Sequence, residues 1–502
     1  MTAKETSTMM QRVSDIIQAQ DIEQWKQGDK ILIRAGTGRG KTYFVKNVLS
    51  TYADCNNKKI LFLSNRKSLQ EQTRSEVLHS NNQWVIECST YQKFEQDILK
   101  DSVDLTQFKY IVCDEAHYFF MDSTFNHMTN LSANYIKDCT DDKVVILMTA
   151  TPRRIKSYFN IGEERLYELD SEYEYIAEIY KYSKFETIIK RLNTLPKDEK
   201  AIFFTTAKKA YTASMQLYDA CFICSNANAR KRLSNREELH NIQANSRFNS
   251  RVLCTTNVLD NGVNIIDSQV KHIVVDMMDV DTVIQCIGRK RIQIPDDRVT
   301  LYVADKGYHS IQTCYNRVCK DLEQAIYLRD YGEAAFRKQF RKQEYNKQLI
   351  DIDVDAIKIN DVAAWKYSEL KSEYGSMLKT QHGWIKGLLR EMGLEHKSVY
   401  SLEQSLDSVT LKQYLDGMVN QKIFAEEREH MKAVILEKMV GKLKKNQKKL
   451  GIKSINAMLA DLGIPYAFES HKETKGERRN QQYWILKPIG ESAPKRSNHI
   501  IL

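Results

Sequence analysis

From about residue 30 to 305, short β-rich runs alternate with longer stretches of mixed polar and apolar residues. The runs are KILIRA, KKILFLS, WVIEC, KYIVC, KVVILMT, KAIFFTT, ACFICS, RVLCTT, KHIVVD and RVTLYVA. Near-continuous apolar strands separated by helical segments indicate parallel sheets covered on both faces. Ten such strands predict two α/β domains, with the break inside 155–198, a charged, tyrosine-rich stretch without a strong pattern. After 305 the period lengthens to that of helices, as in YNRVCKDLEQAIYLRDYGEAAFRKQF and AEEREHMKAVILEKMVGKLKKN. Near the end, 453–463 reads as a helix, followed by two β-like segments, YAFESH and QQYWILKP, around the charged turn KETKGERRN. The expected division is an N-terminal helix over 1–24, α/β domains over 25–160 and 161–305, a helical extension over 306–430 and a terminal module over 431–502.

Composition changes this picture in three places. The 502 residues are 42% hydrophobic, enough for two or three separate cores. Only 6 prolines and 19 glycines argue against long flexible linkers. No apolar run reaches the roughly 18 residues of a membrane span, and the polar N-terminus lacks a signal-peptide order, so a soluble, intracellular protein without a membrane partner is expected. The ten cysteines are mostly scattered within apolar stretches, as reduced, buried thiols are. Cys221 and Cys224 form one CxxC that Cys314 and Cys319 could complete, but strand context and loose spacing argue against a metal, so no zinc is expected. The formal charge is +10, and residues 431–502 hold 15 Lys or Arg against 6 Asp or Glu, a net of +9. That asymmetry points to a polyanion met at the C-terminus, with solvated lysine-rich helices as the alternative.

The chemistry is concentrated in two segments. Ala35-Gly36-Thr37-Gly38-Arg39-Gly40-Lys41-Thr42 directly follows the run KILIR and precedes a helical pattern. A glycine-rich turn between a strand and a helix lets backbone N–H groups and the helix dipole surround a phosphate. Lys41 would reach the β- and γ-phosphates of ATP, and the Thr42 hydroxyl would bind Mg2+. Asp114-Glu115-Ala116-His117 ends the run YIVC, where ligands bind in open parallel sheets. Asp114 would hold the magnesium and Glu115 would orient and deprotonate the attacking water.

Together these segments resemble superfamily 2 helicases, specifically the DEAH-type members, over roughly residues 25–305. The first motif of that family has the form AxTGxGKT, which includes Ala35. Ser64-Asn65-Arg66-Lys67-Ser68-Leu69 resembles motif Ia, Ser89-Thr90-Tyr91-Gln92 motif Ib, and Thr149-Ala150-Thr151 motif III. FFTTAKKA, around Thr205 and Thr206, stands where motif IV should be. Thr256 to Asn264, with Asp260 and Gly262, resembles motif V, and Gln285-Cys286-Ile287-Gly288-Arg289 motif VI. The resemblance implies two tandem RecA-like parallel-sheet lobes and a mainly α-helical C-terminal region. It implies an ATP site shared by Lys41, Thr42, Asp114 and Glu115 from the first lobe and Gln285 and Arg289 from the second. Asp260 and Gly262 would face the nucleotide. Ser64, Asn65, Arg66, Thr90, Thr205 and Thr256 would meet nucleic acid, and His117, Thr149 and Thr151 would couple hydrolysis to movement. Motif VI departs from the usual GRxxR: Ile292 stands at the second arginine's place and Arg291 one residue earlier. The GRxR form is similar to origin-binding helicases of herpesviruses and of phage or mobile elements. Arg291 is then either a second arginine finger or a surface residue.

For the C-terminal module, a winged-helix-like nucleic-acid binder, a protein-docking module and a helical cap remain open. Tyr483 and Trp484 are either stacking residues or core of the hairpin. The resulting expectation is a Mg-ATP-driven helicase or translocase acting on DNA rather than RNA. It would work with replication or repair proteins in the cytoplasm of a bacterial or phage-infected cell. The alternatives are an origin-binding initiator or clamp that does not unwind processively, and an RNA helicase.

Overall fold

The computed structural model describes residues 11–36, 38–65, 84–124, 126–138, 140–169, 173–225, 228–257, 263–292, 294, 297–341, 344–352, 357–438, 451–476 and 478–489. Two all-parallel sheets dominate it. The first contains β1 (Lys30–Arg34), β2 (Lys59–Ser64), β3 (Ile86–Thr90), β4 (Phe108–Cys113), β5 (Val144–Thr149) and β6 (Leu166–Glu168), in the order β3-β2-β4-β5-β1-β6. The second contains β7 (Ile176–Tyr182), β8 (Lys200–Phe204), β9 (Ala220–Ile223), β10 (Val252–Thr255), β11 (Val270–Val275) and β12 (Val299–Ala304). Its order is β15-β7-β12-β11-β8-β10-β9, where β15 (Val399–Ser401) comes from far down the chain, after a small antiparallel pair, β13 (Ile350–Ile352) and β14 (Ile357–Ile359). All six residues of β5 are buried, because each face of a parallel sheet is covered by helices. These are the two tandem RecA-like lobes, each with an apolar cluster on either side of its sheet.

All ten runs picked out by hydrophobicity contain strands, although the strand in WVIEC starts only at Ile86. Two strands inside 155–198 were not legible. β6 is three residues long, and β7 buries Ile176, Ile179 and Tyr182 at every third position, so it carries no period-2 signal. β6 pairs with β1, which carries the first sheet beyond the expected boundary at 160.

The helical extension joins the lobes. Its first helix, Tyr308–Gln339, is broken at Gly332, whose φ of 76° is left-handed. The helix Asp361–Leu378 crosses from one lobe to the other. Val362 lies in the first lobe's core, while Leu370, Tyr374 and Met377 lie in the second's. Asn360 Nδ2 and Lys366 Nζ donate to the carbonyls of Ser123 and Phe120 in the first lobe. In the helix Gly383–Glu391, buried Trp384 donates its indole N–H to the Met278 carbonyl at 2.7 Å in the second lobe.

The C-terminal module contains the helices Leu402–Asp416, Ala425–Lys438 and Ile452–Asp461, then an antiparallel hairpin of β16 (Tyr466–Lys472) and β17 (Gln482–Pro488). Val419 and Ile423 bridge to Leu486 and Trp484, adding a third edge to the hairpin. The module core runs from Leu411 and Leu415 through Met431, Ile435, Ile455 and Leu459 to Phe468, Trp484 and Leu486. Trp484 is therefore core, as one of the two sequence readings held; Tyr483 is half-buried against His471. The expected boundary at 430 falls inside the helix Ala425–Lys438, because the charge that suggested it begins later than the core. No helix among the described residues is long and apolar enough to cross a membrane.

Candidate functional site

The first lobe brings the chemistry together through strand order. β1 ends in the glycine-rich turn, β5 in Thr149 and β4 in the Asp114 turn, and β5 lies between the other two. The three turns thus leave the same edge of the sheet side by side, at the C-terminal ends of parallel strands. Gly38 and Gly40 take φ of 89° and 80°, a conformation that strains any other residue. Gly40 caps the helical run that starts with Lys41–Tyr43 and continues through Phe44–Leu49 to Ser50–Cys55. Ala35 is held by a bond from its N–H to the Thr149 carbonyl at 3.0 Å.

Lys41 is buried, with Nζ 3.0 Å from the Ala35 carbonyl and 3.1 Å from Glu115 Oε1. Glu115 itself has φ of 49°, left-handed for a residue with a side chain. Such a conformation costs roughly 1–3 kcal/mol and persists only where neighbours enforce it. Here they do. The N–H groups of Asp114 and Ala116 bond to Leu63 and Met148 in the flanking strands, and the Tyr91 hydroxyl donates to the Asp114 carbonyl at 3.0 Å. The turn thereby aims Glu115 at Lys41.

The titration of the acidic pair is split. Burial and the neighbouring Glu115 raise the Asp114 carboxyl to about 7, against the pull of Lys41. Glu115 is held at about 2: burial opposes its charge, but Lys41, His117 and Arg289 outweigh it. Burial, with Lys41 and Arg289, lowers His117 to about 4 despite Glu115, so its imidazole is neutral near pH 7. Asp114 Oδ1 is buried without a hydrogen-bond partner. An orphaned carboxylate oxygen near the helix that follows the glycine-rich turn, with half-buried Thr42 on that helix, suits a divalent cation that would also take phosphate oxygens.

The second lobe closes the site from across the cleft. Gln285 lies on the helix Val280–Ile287; its Nε2 is 3.4 Å from His117 Nδ1 and 3.4 Å from Thr151 Oγ1. His117 Nδ1 is also 3.3 Å from Thr149 Oγ1, and the two threonine hydroxyls are 3.4 Å apart. Arg289, directly after that helix, is buried with its Nε lacking a partner, and its charge acts on Glu115 and His117. Arg291 lines the same cleft as Gly36, Gly38 and Arg39, and its Nε donates to Asn264 Oδ1 at 2.9 Å.

The residues expected to meet nucleic acid are placed less uniformly. Ser64, Thr90, Thr205 and Thr256 lie at or just beyond the C-terminal ends of β2, β3, β8 and β10. The Thr90 hydroxyl caps the helix Tyr91–Leu99 by accepting from the Lys93 N–H, and the buried Thr205 hydroxyl turns inward to the Asp276 carbonyl. Ser64 is buried and Asn65 half-buried. Thr37, Arg66, Asp260 and Gly262 lie outside the described residues. Sequence reasoning missed Tyr173 and Tyr175, which line the cleft from the patternless stretch, and Arg154; it had Asn264 within the motif V segment but gave it no role. The signal for Arg154 was present in the paired arginines immediately after Thr151-Pro152.

Glu115→Gln keeps the shape of the side chain and removes its basicity. For a site that hydrolyses ATP, kcat should then fall by about 10²–10⁴, the range for a positioned base, with nucleotide binding retained. Loss of binding together with turnover would make Glu115 a structural residue.

A family model described as "Type III restriction enzyme, res subunit" matches residues 6–85 and 79–154. No curated protein matches the chain. Among solved structures, S. cerevisiae Dbp5 bound to RNA and ADP BeF3 aligns at 17% identity over 68% of this chain and 89% of that one, with a TM-score of 0.39. The Pyrococcus furiosus Hef helicase domain aligns at 15% identity over 61% and 100%, with a TM-score of 0.36. A DEAD box protein from the hyperthermophile Methanococcus jannaschii aligns at 16% over 60% and 88%, with a TM-score of 0.34.

Proposed function

We propose that the chain is an ATP-driven helicase or translocase of the superfamily 2 kind, acting on nucleic acid, DNA rather than RNA. The observation that carries this reading is the chain of contacts across the cleft, from Glu115 through His117, Thr149 and Thr151 to Gln285, with Arg289 set against the same acid. A site that only bound nucleotide would not need its base tied to a second lobe. Bound Mg2+ would be held by Asp114 and Thr42 and would neutralise charge on the β- and γ-phosphates. Lys41 holds the phosphates, Glu115 accepts the proton of the attacking water, and Arg289 stabilises the charge that develops as the γ-phosphoryl leaves. Arg291 acts as a second cation in the cleft, steadied by Asn264. Asp260 and Gly262 would face the nucleotide. Ser64, Thr90, Thr205 and Thr256 stand at the strand ends along which the nucleic acid runs, with Asn65 and Arg66 as further contacts. The preference for DNA rests on the GRxR form of motif VI, and with it a place in replication, recombination or repair. ATPase assays with DNA and with RNA, beside a strand-displacement assay, test this. Turnover that neither polymer stimulates would sink the reading.

A second reading has an observation in its favour. The helix Asp361–Leu378 is built into the cores of both lobes, which limits how far they can part. That favours an initiator or clamp that uses ATP to change its grip without processive unwinding. DNA-stimulated hydrolysis with no strand displacement would select it.

The C-terminal module, three helices and a hairpin, supplies the duplex contact in this proposal. Cutting the chain near 430 would divide a helix and its core, so charge is better removed at the hairpin turn. Lys472, Lys475 and Arg479 are exposed there, whereas Arg478 lies over the Phe424 ring. Replacing the three with alanine should flatten the slope of log K against log salt by about 2 to 2.7, at roughly 0.7–0.9 per phosphate contact. Basal ATPase should be unchanged. An unaltered slope would favour protein docking.

A further inference from the structure

The described residues contain a buried ionic cluster, away from the phosphate turn, in which three parts of the chain meet. Arg154 belongs to the first lobe, in the helix Pro152–Tyr158 that follows Thr151. Its Nη1 lies 2.7 Å from Asp281 Oδ2 and 3.3 Å from each oxygen of Asp279, both in the second lobe. Its Nη2 lies 3.2 and 3.3 Å from the two oxygens of Glu373 in the helical extension. Arg153 pairs with the same Glu373 and with Glu391 at 3.4 Å. The side chains of Arg154, Asp281 and Glu373 are 2%, 6% and 7% exposed. Exposed ion pairs contribute little, but removing one partner of a buried pair leaves a charge uncompensated, so this arrangement holds its geometry firmly.

What the cluster grips matters more than that it grips. Asp279 caps the helix Val280–Ile287, accepting from the N–H groups of Asp281 at 2.9 Å and Thr282 at 3.4 Å. That helix carries Gln285 and delivers Arg289 at its end. It is therefore fastened at two places to the segment 151–154 of the first lobe: through Asp279 and Asp281 to Arg154, and through Gln285 to Thr151. Two attachments on one rigid helix fix both its position and its roll about its axis. Glu373 adds the extension to the first of them.

We propose that Arg154, Asp279, Asp281 and Glu373 form a positioning cluster that sets Arg289 against the acidic pair, and that through Glu373 the helical extension governs how well the arginine is placed. None of the four touches the reacting atoms. They act through the helix, and the inference rests on the reading of the site as an ATPase. The extension also leads through β15 to the C-terminal module, so an event there has a covalent and packed route to the cleft.

The test is steady-state ATPase of the full chain, with affinity for a fluorescent non-hydrolysable ATP analogue and thermal stability measured in parallel. Glu373→Gln keeps the volume and leaves Arg154 with its two aspartates. We expect kcat to fall about 5-fold or more, as for a coupling between separate elements, with analogue affinity unchanged and the melting temperature lowered only as far as the lost charge partner costs. Glu373→Asp, which keeps the charge, should recover part of the loss. Asp281→Asn removes the nearer of the two second-lobe partners while sparing the Asp279 cap. It should give the same split, and the double variant should lose less than the product of the two losses, because both act through one joint. Wild-type kcat in folded Glu373→Gln overturns the inference, as does a loss of kcat matched by equal losses of affinity and stability. If Glu373→Gln does not fold, Asp281→Asn decides by the same readouts. A wild-type chain with no ATP turnover at all overturns the proposed function and this inference together. Turnover indifferent to both variants overturns the inference alone.

Discussion

Arg289→Ala should lower kcat for ATP hydrolysis by about 10³–10⁵, the effect of removing an arginine finger, and leave ATP affinity nearly intact. The separation follows from where the groups sit. The glycine-rich turn and Lys41 belong to the first lobe and would bind nucleotide without help, whereas Arg289 enters from the second. Its guanidinium is buried with Nε unpartnered, an arrangement that costs free energy unless a further anion is present during the reaction. The backbone contact at this position, from the Ile265 N–H to the Arg289 carbonyl at 2.8 Å, survives the substitution, so the second lobe should remain folded. Arg291→Ala should have a smaller effect in the same direction, since Asn264 already takes part of that guanidinium's bonding capacity. Single-turnover hydrolysis and equilibrium nucleotide binding on both variants check this. An Arg289→Ala protein with near-normal turnover would remove the finger from the proposal, and an unchanged Arg291→Ala would leave Arg289 as the single finger.

Lys41→Ala should abolish measurable ATPase activity. A cation about 4 Å from one phosphate charge is worth roughly 4 kcal/mol at an effective dielectric near 20. At about 1.4 kcal/mol per decade, that one interaction supplies roughly 10³ in rate or affinity, and Lys41 is expected to meet two phosphates. Here, unlike Arg289→Ala, affinity and turnover should fall together. Lys41 is also the buried partner of Glu115 at 3.1 Å, and Arg289 remains to compensate that carboxylate after the change. The melting temperature should therefore be recorded beside the activity. A folded Lys41→Ala protein with wild-type turnover would move the active site elsewhere.

Much of this protein is determined locally and can be read without coordinates. Ten apolar runs became strands because residues buried on both faces of a parallel sheet must be apolar almost without interruption, a signal that survives in one dimension. The glycine-rich turn after β1 was legible because Gly38 and Gly40 occupy backbone conformations that few other residues tolerate. The Asp114 turn was legible because an acidic pair follows a buried strand. The terminal hairpin was legible from its alternation, with Phe468, Trp484 and Leu486 facing the module's core. The tertiary structure alone decided what depends on partners distant in sequence. β7 is a strand because β12 and β15 flank it, and its own half-polar face carries no period. The module begins before its basic tail because a core is set by contacts, not by charge. Arg291 faces the cleft because Asn264, 27 residues earlier, turns it there. Arg154 is a joint rather than a surface arginine because Asp279, Asp281 and Glu373 arrive from two other parts of the chain, up to 219 residues away. Burying a guanidinium requires several carboxylates at once, and no pattern along the chain records which ones will meet.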